Sequence, residues 1–202
     1  MKTTRGAAAD STTRCVACGA AVPGFDIVRY GSIEGGYREL CTHCFNAEVA
    51  LQSGLDEFEN LRFERMVMTD AVGVPHEFHF RTRLLGTMVS VEALELINGE
   101  PGGYDFQIVG DPEEDLFAIC GRLVERMRRA LSIRHLTDDE SGPQIADSTV
   151  RARIVADMDS DSRAPSLVID GRTVTWEQFG RMLMTFEGWQ FRMEIVDRSD
   201  EP

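Results

Sequence analysis

The chain has 202 residues and a formal net charge of −13, from 34 acidic and 21 basic residues. A hydrophobic content of 43% and a charged content of 27% are typical of globular proteins and exclude a disordered or collagen-like chain. So acidic a surface repels phosphate backbones, which argues against a general role in nucleic-acid binding. No apolar run reaches the roughly 18 residues that cross a bilayer, and the first residues are too polar for a signal peptide. We therefore expect a cytoplasmic protein with no membrane partner.

Composition and turn signals divide the chain into four parts. We expect a disordered N-terminal tail over residues 1–12, a cysteine-bearing module over 13–54, an acidic joint over 55–61 and a larger α+β domain over 62–202. Residues 1–54 are formally neutral, so the net charge resides entirely in the rest of the chain. The joint is polar enough to predict a spacer rather than a packed seam.

Four of the five cysteines form two C-x-x-C pairs, Cys15 with Cys18 and Cys41 with Cys44. Two such pairs supply four thiolates to one tetrahedral Zn²⁺ ion and leave no open coordination position. Disulfides are the alternative, but a reducing compartment disfavours them. We therefore predict one structural Zn²⁺ ion per chain. His43, which lies inside the second pair, could replace one cysteine as a ligand, but a residue in this position more often points outward, and we expect the same of His43.

The residues around the two pairs predict a compact local fold. Gly19 permits a tight turn after the first pair, and residues 25–30 and 37–40 read as the strands of a hairpin. The second pair then begins a helix that ends near Gly54. This order of a tight cysteine turn (a zinc knuckle), a hairpin and a helix resembles a treble-clef zinc finger over residues 13–54. The stretch 40–44 is similar to the second corner of GATA-type fingers and of the zinc domain of the ClpX chaperone.

That resemblance implies the four ligands and the local fold but no partner, because treble clefs bind DNA, proteins, lipids or nothing. The basic residues that a DNA-reading finger carries after its last cysteine are absent here, where Glu48 is the only charged residue up to Gln52. The finger's apolar side chains exceed what a module of about 40 residues can bury. We expect a partner or a second copy to cover some of these side chains; the alternative is that the sheet domain buries them. They are Phe25, Ile27, Tyr30, Tyr37 and Phe45.

Beyond residue 61 the pattern predicts a mainly antiparallel sheet with two helices. Strands are expected over 62–69, 76–84, 104–109, 150–158, 166–169, 172–174 and 189–196. The stretch 88–96 is apolar and ambiguous, 98–103 reads as a long turn, and 137–147 reads as a polar loop. In the strand over 150–158, Ile154 should face inward. This part of the chain loosely resembles domains of uncharacterised bacterial proteins, which implies no activity.

The first helix of this domain should begin with Asp111 as its N-cap and Pro112 in its first position. Its buried stripe recurs at helical spacing and comprises Leu116, Ile119, Cys120, Leu123 and Met127. We therefore interpret Cys120 as a buried apolar residue rather than a nucleophile. The second helix should start at a capping box formed by Thr175 and Gln178 and end before Gly188.

The opposite side of the first helix carries Arg122, Arg126 and Arg129 at i, i+4 and i+7. Such a strip could bind a carboxylate, a phosphate or an acidic partner surface. The alternative is a solvated face whose arginines pair with acidic residues of the same chain.

The other chemical motifs fail on inspection. His76 and His79 are three apart on a predicted strand and so point to opposite faces, where they cannot share a metal ion without a bulge. Residues 157–162 open like a calcium loop, but Ser162 stands where glycine is needed and Val168 where glutamate is needed. No catalytic signature is present.

The sequence therefore predicts a cytosolic, non-catalytic protein-interaction or adaptor protein with structural zinc, whose partner is another protein or a second copy of itself. One alternative is an enzyme or small-ligand-binding protein with a pocket in the α+β domain. Another is a nucleic-acid-associated regulator that acts through the finger.

Overall fold

A four-stranded antiparallel sheet forms the centre of this α+β fold. The computed structural model describes residues 12–140, 142–156 and 164–200. The helices are α1 (Thr42–Ser53), α2 (Leu116–Leu131) and α3 (Trp176–Leu183). The strands are β1 (Thr12–Arg14), β2 (Ala21–Pro23), β3 (Ile27–Ser32), β4 (Gly36–Cys41), β5 (Met66–Thr69), β6 (Pro75–Leu84), β7 (Val89–Ile97), β8 (Glu100–Gly110), β9 (Leu136–Asp139), β10 (Gly142–Ile145), β11 (Arg153–Val155), β12 (Ser166–Ile169) and β13 (Arg172–Thr175).

The central sheet has the order β5-β6-β7-β8, and every neighbouring pair is antiparallel. Smaller sheets pair β1 with β2, β3 with β4, and β9 with β10, and a three-stranded sheet has the order β11-β12-β13. Two short 3₁₀ turns occupy Gly24–Asp26 and Met184–Phe186. No helix among the described residues combines the length and apolar character that crossing a membrane requires.

Helix α2 covers one face of the central sheet through the stripe that the sequence predicts. Ile119, Leu123 and Met127 are fully buried against this face, where Phe78 and Val91 lie. The ambiguous stretch 88–96 forms β7, which is buried almost throughout because it is a central strand with both faces covered. Burying this apolar stripe is the main favourable contribution that holds helix to sheet.

The expected N-cap of α2 is wrong. Asp115 caps the helix by accepting a hydrogen bond from the Phe117 amide at 2.8 Å. Asp111 instead accepts from the Glu113 amide at 2.9 Å in a separate turn before the helix. Both aspartates can form such local bonds, so side-chain type alone did not distinguish the cap from the turn. Cys120 is half-buried in the stripe, and burial raises the pKa of its thiol.

The expected long turn over 98–103 is also wrong, because β8 begins at Glu100. Asn98 and Gly99 form a two-residue loop with φ of 55° and 87°, as a type I′ hairpin turn requires. Ile97 then pairs directly with Glu100, and a bulge between Leu94 and Leu96 adjusts the register. An Asn-Gly pair between apolar runs is a strong hairpin signal, and it outweighs the glycines and proline that follow.

The C-terminal part has a smaller core of its own, comprising Leu136, Leu167, Ile169, Val174 and Met182. The predicted hairpin of β12 and β13 is confirmed, as is the capping box of α3, in which both hydrogen bonds are present. The predicted polar loop over 137–147 is instead the β9–β10 hairpin. The Asp170 carboxylate holds the start of this hairpin in place by accepting hydrogen bonds from the amides of His135 and Leu136.

Two strand predictions in this part fail. Strand β11 is only three residues long, and Ile154 points to solvent rather than inward. Residues 189–196 form no strand, and all eight are exposed, so the apolar face expected for this strand is not buried. On edge strand β8 of the central sheet, side chains already bond two backbone carbonyls. The Gly103 carbonyl accepts from Arg153, and the Gln107 carbonyl accepts from Arg126. The calcium-like stretch 157–162 lies outside the described residues.

The second face of the central sheet carries a buried carboxylate held by arginines. Glu92 on β7 is only 1% exposed, and Arg81 donates to it at 2.9 Å while Arg83 donates at 2.5 Å. Burial raises the pKa of Glu92, but the two guanidinium groups outweigh that effect and hold the pKa below its usual range. Arg198, near the C-terminus, binds Asp105 at 2.8 Å on the same face.

We predict that Glu92→Gln lowers the free energy of unfolding by about 3 kcal/mol at pH 7, because it leaves two arginines without their buried counter-charge. The folded-state pKa of Glu92 is depressed, so this stabilisation is present above the unfolded pKa of about 4.3 and is lost as pH falls through the folded pKa. Urea unfolding at pH 7 and at progressively lower pH measures the difference. Glu77→Gln, in the exposed pair with Arg65, is the matched control and should change stability little. Equal losses for the two variants would contradict the prediction.

Candidate metal centre

The first cysteine pair sits in a tight turn between β1 and β2. The Cys15 amide donates to the Ala20 carbonyl and the Gly19 amide donates to the Cys15 carbonyl, both at 2.9 Å. Gly19 has φ of 73°, which an L side chain rarely adopts, so glycine suits this position. The turn therefore brings the side chains of Cys15 and Cys18 to the same point.

The second pair lies where the β3–β4 hairpin meets α1. Cys41 ends β4 and is the N-cap residue of α1, so Cys44 falls in the first turn of the helix. The helix ends at Gly54, which adopts the left-handed conformation at φ of 68° as predicted. A backbone hydrogen bond from Val16 to the Glu39 carbonyl joins the first turn to the hairpin. Hairpin and turn thus place both pairs together.

All four sulfur atoms lie within 4.8 Å of one another. The Sγ atoms of Cys18 and Cys41 are 3.9 Å apart, close to the spacing of about 3.8 Å that a tetrahedron with Zn–S bonds near 2.3 Å requires. The five cysteines are free thiols, so the disulfide alternative is not formed here. Four cysteines are therefore close enough to hold a metal ion, and the donor set is compatible with zinc.

Without a cation, electrostatic repulsion opposes the ionisation of all four thiols at this spacing. Burial raises the pKa of Cys15, but amide N–H groups from Cys41, Cys18 and Ala17 outweigh it and lower that pKa to about 6. Burial, together with the neighbouring thiols, raises the pKa of Cys44 far above its usual value, and burial also raises that of Cys41. A divalent cation would offset the repulsion among four thiolates, which is the usual way that proteins ionise such a cluster.

His43 is not part of the cluster. Among the described residues, the four cysteines are the group of metal-ligating side chains that lies within binding distance, and it excludes His43. The Nδ1 atom of His43 is buried with no hydrogen-bond partner in the described structure. Its backbone carbonyl accepts from Asn60 at 2.7 Å, which joins the start of α1 to the segment that follows.

A buried asparagine, which the sequence analysis did not single out, fastens α1 to the central sheet. Asn46 is 2% exposed; its amide group donates to the Thr82 carbonyl at 2.9 Å, and its side-chain oxygen accepts from the Leu84 amide at 2.9 Å. One side chain thus satisfies two backbone groups of β6. The available signal was a polar residue beside Phe45 on the buried face of the helix.

The 3₁₀ turn at Gly24–Asp26 is bound by side chains on the face of β6 that carries His79 and Arg81. Asp26 bonds His79 at 3.0 Å, and the Phe25 carbonyl accepts from Arg81. His76 lies on the opposite face with Glu95 at 2.6 Å, which confirms that the two histidines do not share a site. The cysteine module therefore contacts the sheet through several independent groups.

Most apolar side chains of the module turn inward. Phe45 is buried and packs edge to face with Tyr30, and the two ring centres are 5.2 Å apart. Tyr37, in contrast, is 62% exposed. The module's buried residues belong to the same apolar cluster as the central sheet. Leu55 and Phe58 pack against that cluster, so the expectation that the joint is a spacer is wrong.

The arginine strip of α2 is not gathered into one site. Arg122 is bound by Glu114, with one contact at 2.9 Å, and Arg126 donates to the carbonyls of Gln107 and Ser199 at 2.8 and 3.2 Å. Arg129 is exposed. Binding of an anion or an acidic partner by this strip stays a prediction.

Three family models match consecutive parts of the chain, and each is described as a domain of unknown function. They are DUF7685 over residues 14–56, DUF7686 over 59–132 and DUF7713 over 135–200. The first covers all four cysteines, the second the central sheet with α2, and the third the smaller core. No curated protein matches the chain, and no solved structure matches it. The prediction of one domain over 62–202 stays a prediction.

We predict that the purified protein carries one zinc ion per chain. Cys18→Ser and Cys44→Ser should each remove most of the zinc, because three thiolates no longer close the tetrahedron. Elemental analysis of the purified variants measures this directly. Cys120→Ser and His43→Ala are the matched controls and should keep full zinc. Zinc that survives in the Cys18 and Cys44 variants, or that is lost with His43, would contradict the assignment.

Proposed function

We propose that this chain is a cytoplasmic, non-catalytic interaction protein whose N-terminal module is a treble-clef finger with a structural Zn²⁺ ion. The observation that carries the proposal is the mutual approach of four cysteine sulfurs within 4.8 Å. Four thiolates complete the zinc coordination shell and leave no position for substrate or activated water. A reducing cytoplasm would keep these thiols available for the metal.

The position of the cluster also supports a structural role. Cys15 and Cys41 are buried and belong to the apolar cluster that includes Phe78 of the central sheet. The module covers part of the sheet through α1 and the Gly24–Asp26 turn. An ion at this place would hold in shape a segment too small to sustain a core of its own.

The support for an interaction role is the apolar surface at the other end of the chain. Residues 189–196, here named the C-terminal segment, expose large apolar side chains with Trp189 at 71% and Phe191 at 76%. Contiguous apolar groups on a soluble surface mark interaction sites more often than isolated ones do. This segment is far in sequence from the cysteines, so binding and metal chemistry would be separate properties of the chain.

The two alternatives have weaker support. The partly open cavity between module and sheet is about 130 Å³, below the roughly 300 Å³ at which ligand pockets begin. A larger cavity of about 900 Å³ is an open hollow on the surface of the finger, beside Arg29 and Tyr37, and does not lie in the α+β domain. On the finger, Arg29 pairs with Glu39 and Arg38 with Glu48, so these arginines are already neutralised by acids of the same chain. DNA binding needs basic residues free to meet phosphates.

Cobalt substitution tests the structural role of the metal. We expect the Co²⁺-loaded protein to show the visible spectrum of tetrahedral sulfur coordination, and we expect that spectrum to stay unchanged when azide, cyanide at low concentration or imidazole is added. A closed four-sulfur shell has no position for these small ligands. A spectrum that shifts with the added ligand in a saturable way would reveal an open position and overturn the non-catalytic proposal.

A further inference from the structure

The C-terminal segment has the pattern of a strand but no strand partner. Trp189, Phe191, Met193 and Ile195 alternate with polar residues up to Glu194, and all four are more than half exposed. The backbone of residues 190–196 makes no hydrogen bond to any described residue. An apolar segment with unpaired amide and carbonyl groups can pair with a strand of another chain.

Both ends of the segment are attached to the folded protein. The Trp189 amide donates to the Phe186 carbonyl at 2.9 Å, and the two rings meet edge to face at 5.8 Å. At the other end, Arg198 binds the carboxylate of Asp105 at 2.8 Å through two contacts and the Gln107 side chain at 2.7 Å. The segment is thus presented at fixed positions, which lowers the entropy that pairing would cost.

Strand β8, which Arg198 contacts at the end of the segment, does not pair with residues 189–196. The carbonyls of Gly103 and Gln107 on β8 already accept from the side chains of Arg153 and Arg126. Charged side chains at a sheet edge are a common means of preventing strand addition. The partner strand is therefore to be sought outside the chain.

The sequence of the segment is complementary to itself in one antiparallel register. If two copies pair with Met193 opposite Met193, then Arg192 lies opposite Glu194 of the other copy, and the reverse pair forms by symmetry. Phe191 lies opposite Ile195 on the apolar face in the same register. Neither Arg192 nor Glu194 has an ion-pair partner among the described residues, so both charges are available.

We propose that the protein forms a symmetric homodimer by antiparallel pairing of two C-terminal segments about Met193. This inference rests on the proposed interaction role and names its partner, a second copy of the chain. The contact between the two Met193 residues lies on the two-fold axis, and every other contact occurs twice, as in an isologous interface. Eight residues span only about 26 Å of strand, so the interface is at the small end of the size range and the dimer is reversible.

A charge exchange tests both the partner and the register. Arg192→Glu places glutamate opposite glutamate twice, and should weaken the dimer at least tenfold. The double variant Arg192→Glu with Glu194→Arg restores both pairs in reversed order and should recover dimerisation. Sedimentation velocity of the full-length, zinc-loaded protein over a wide concentration range measures the dissociation constant. Arg62→Glu, the same change at an exposed arginine outside the segment, is the matched control.

An apolar variant adds an independent readout. Phe191→Asp removes the ring that would face Ile195 and should leave the protein monomeric, whereas Ile33→Asp, at the most exposed apolar position of the finger, should not alter the dimer. Zinc content and circular dichroism should be unchanged in every variant, because these side chains are solvent-exposed.

The proposal is overturned by a monomer at all concentrations, by a dimer that Arg192→Glu leaves intact, by failure of the double variant to recover, or by assemblies that grow without closing. None of these outcomes alters the cobalt spectrum, so failure of the homodimer is distinguishable from failure of the structural zinc site.

Discussion

The convergence of four cysteine sulfurs is the constraint on which the N-terminal part of the structure depends. Residues 13–54 contain two short hairpins and one helix, and this segment is too small to form a core of its own. If the four thiolates bind a metal ion, as we propose, four strong bonds replace that missing core, and folding and metal binding become one process. The buried cysteines then continue into the apolar cluster of the central sheet.

The module and the sheet support each other through polar groups placed at their junction. Asn46 satisfies two backbone groups of β6, while Arg81 reaches both Glu92 and the Phe25 carbonyl. Buried polar networks of this kind fix one relative arrangement, since a shift would leave amides and charges unpaired. The four-cysteine cluster and the exposed apolar C-terminal segment lie in different parts of the chain.

Features that depend on nearby residues were predictable from the sequence. Features that depend on a choice between similar residues or on distant parts of the chain were not. The four cysteines, the stripe of α2 and the capping box at Thr175 depend on spacing within one turn or one helix, so they could be recognised. The N-cap of α2 could not, because Asp111 and Asp115 both form local hydrogen bonds. The strand predicted over 189–196 has the right alternation, but pairing depends on an available edge, which a single sequence does not reveal. Asn46 was missed because its role depends on β6, far along the chain.

The central claim is that a metal ion bound by the four cysteines maintains the shape of the module, and hydrogen exchange of the full chain with and without a zinc chelator tests it most directly. The account predicts faster exchange across residues 14–53 after zinc removal, and also at the Leu84 amide, whose acceptor is Asn46. Helix α2, which packs on the same sheet through its own apolar stripe, should keep its protection. Identical exchange in residues 14–53 with and without zinc would contradict the account.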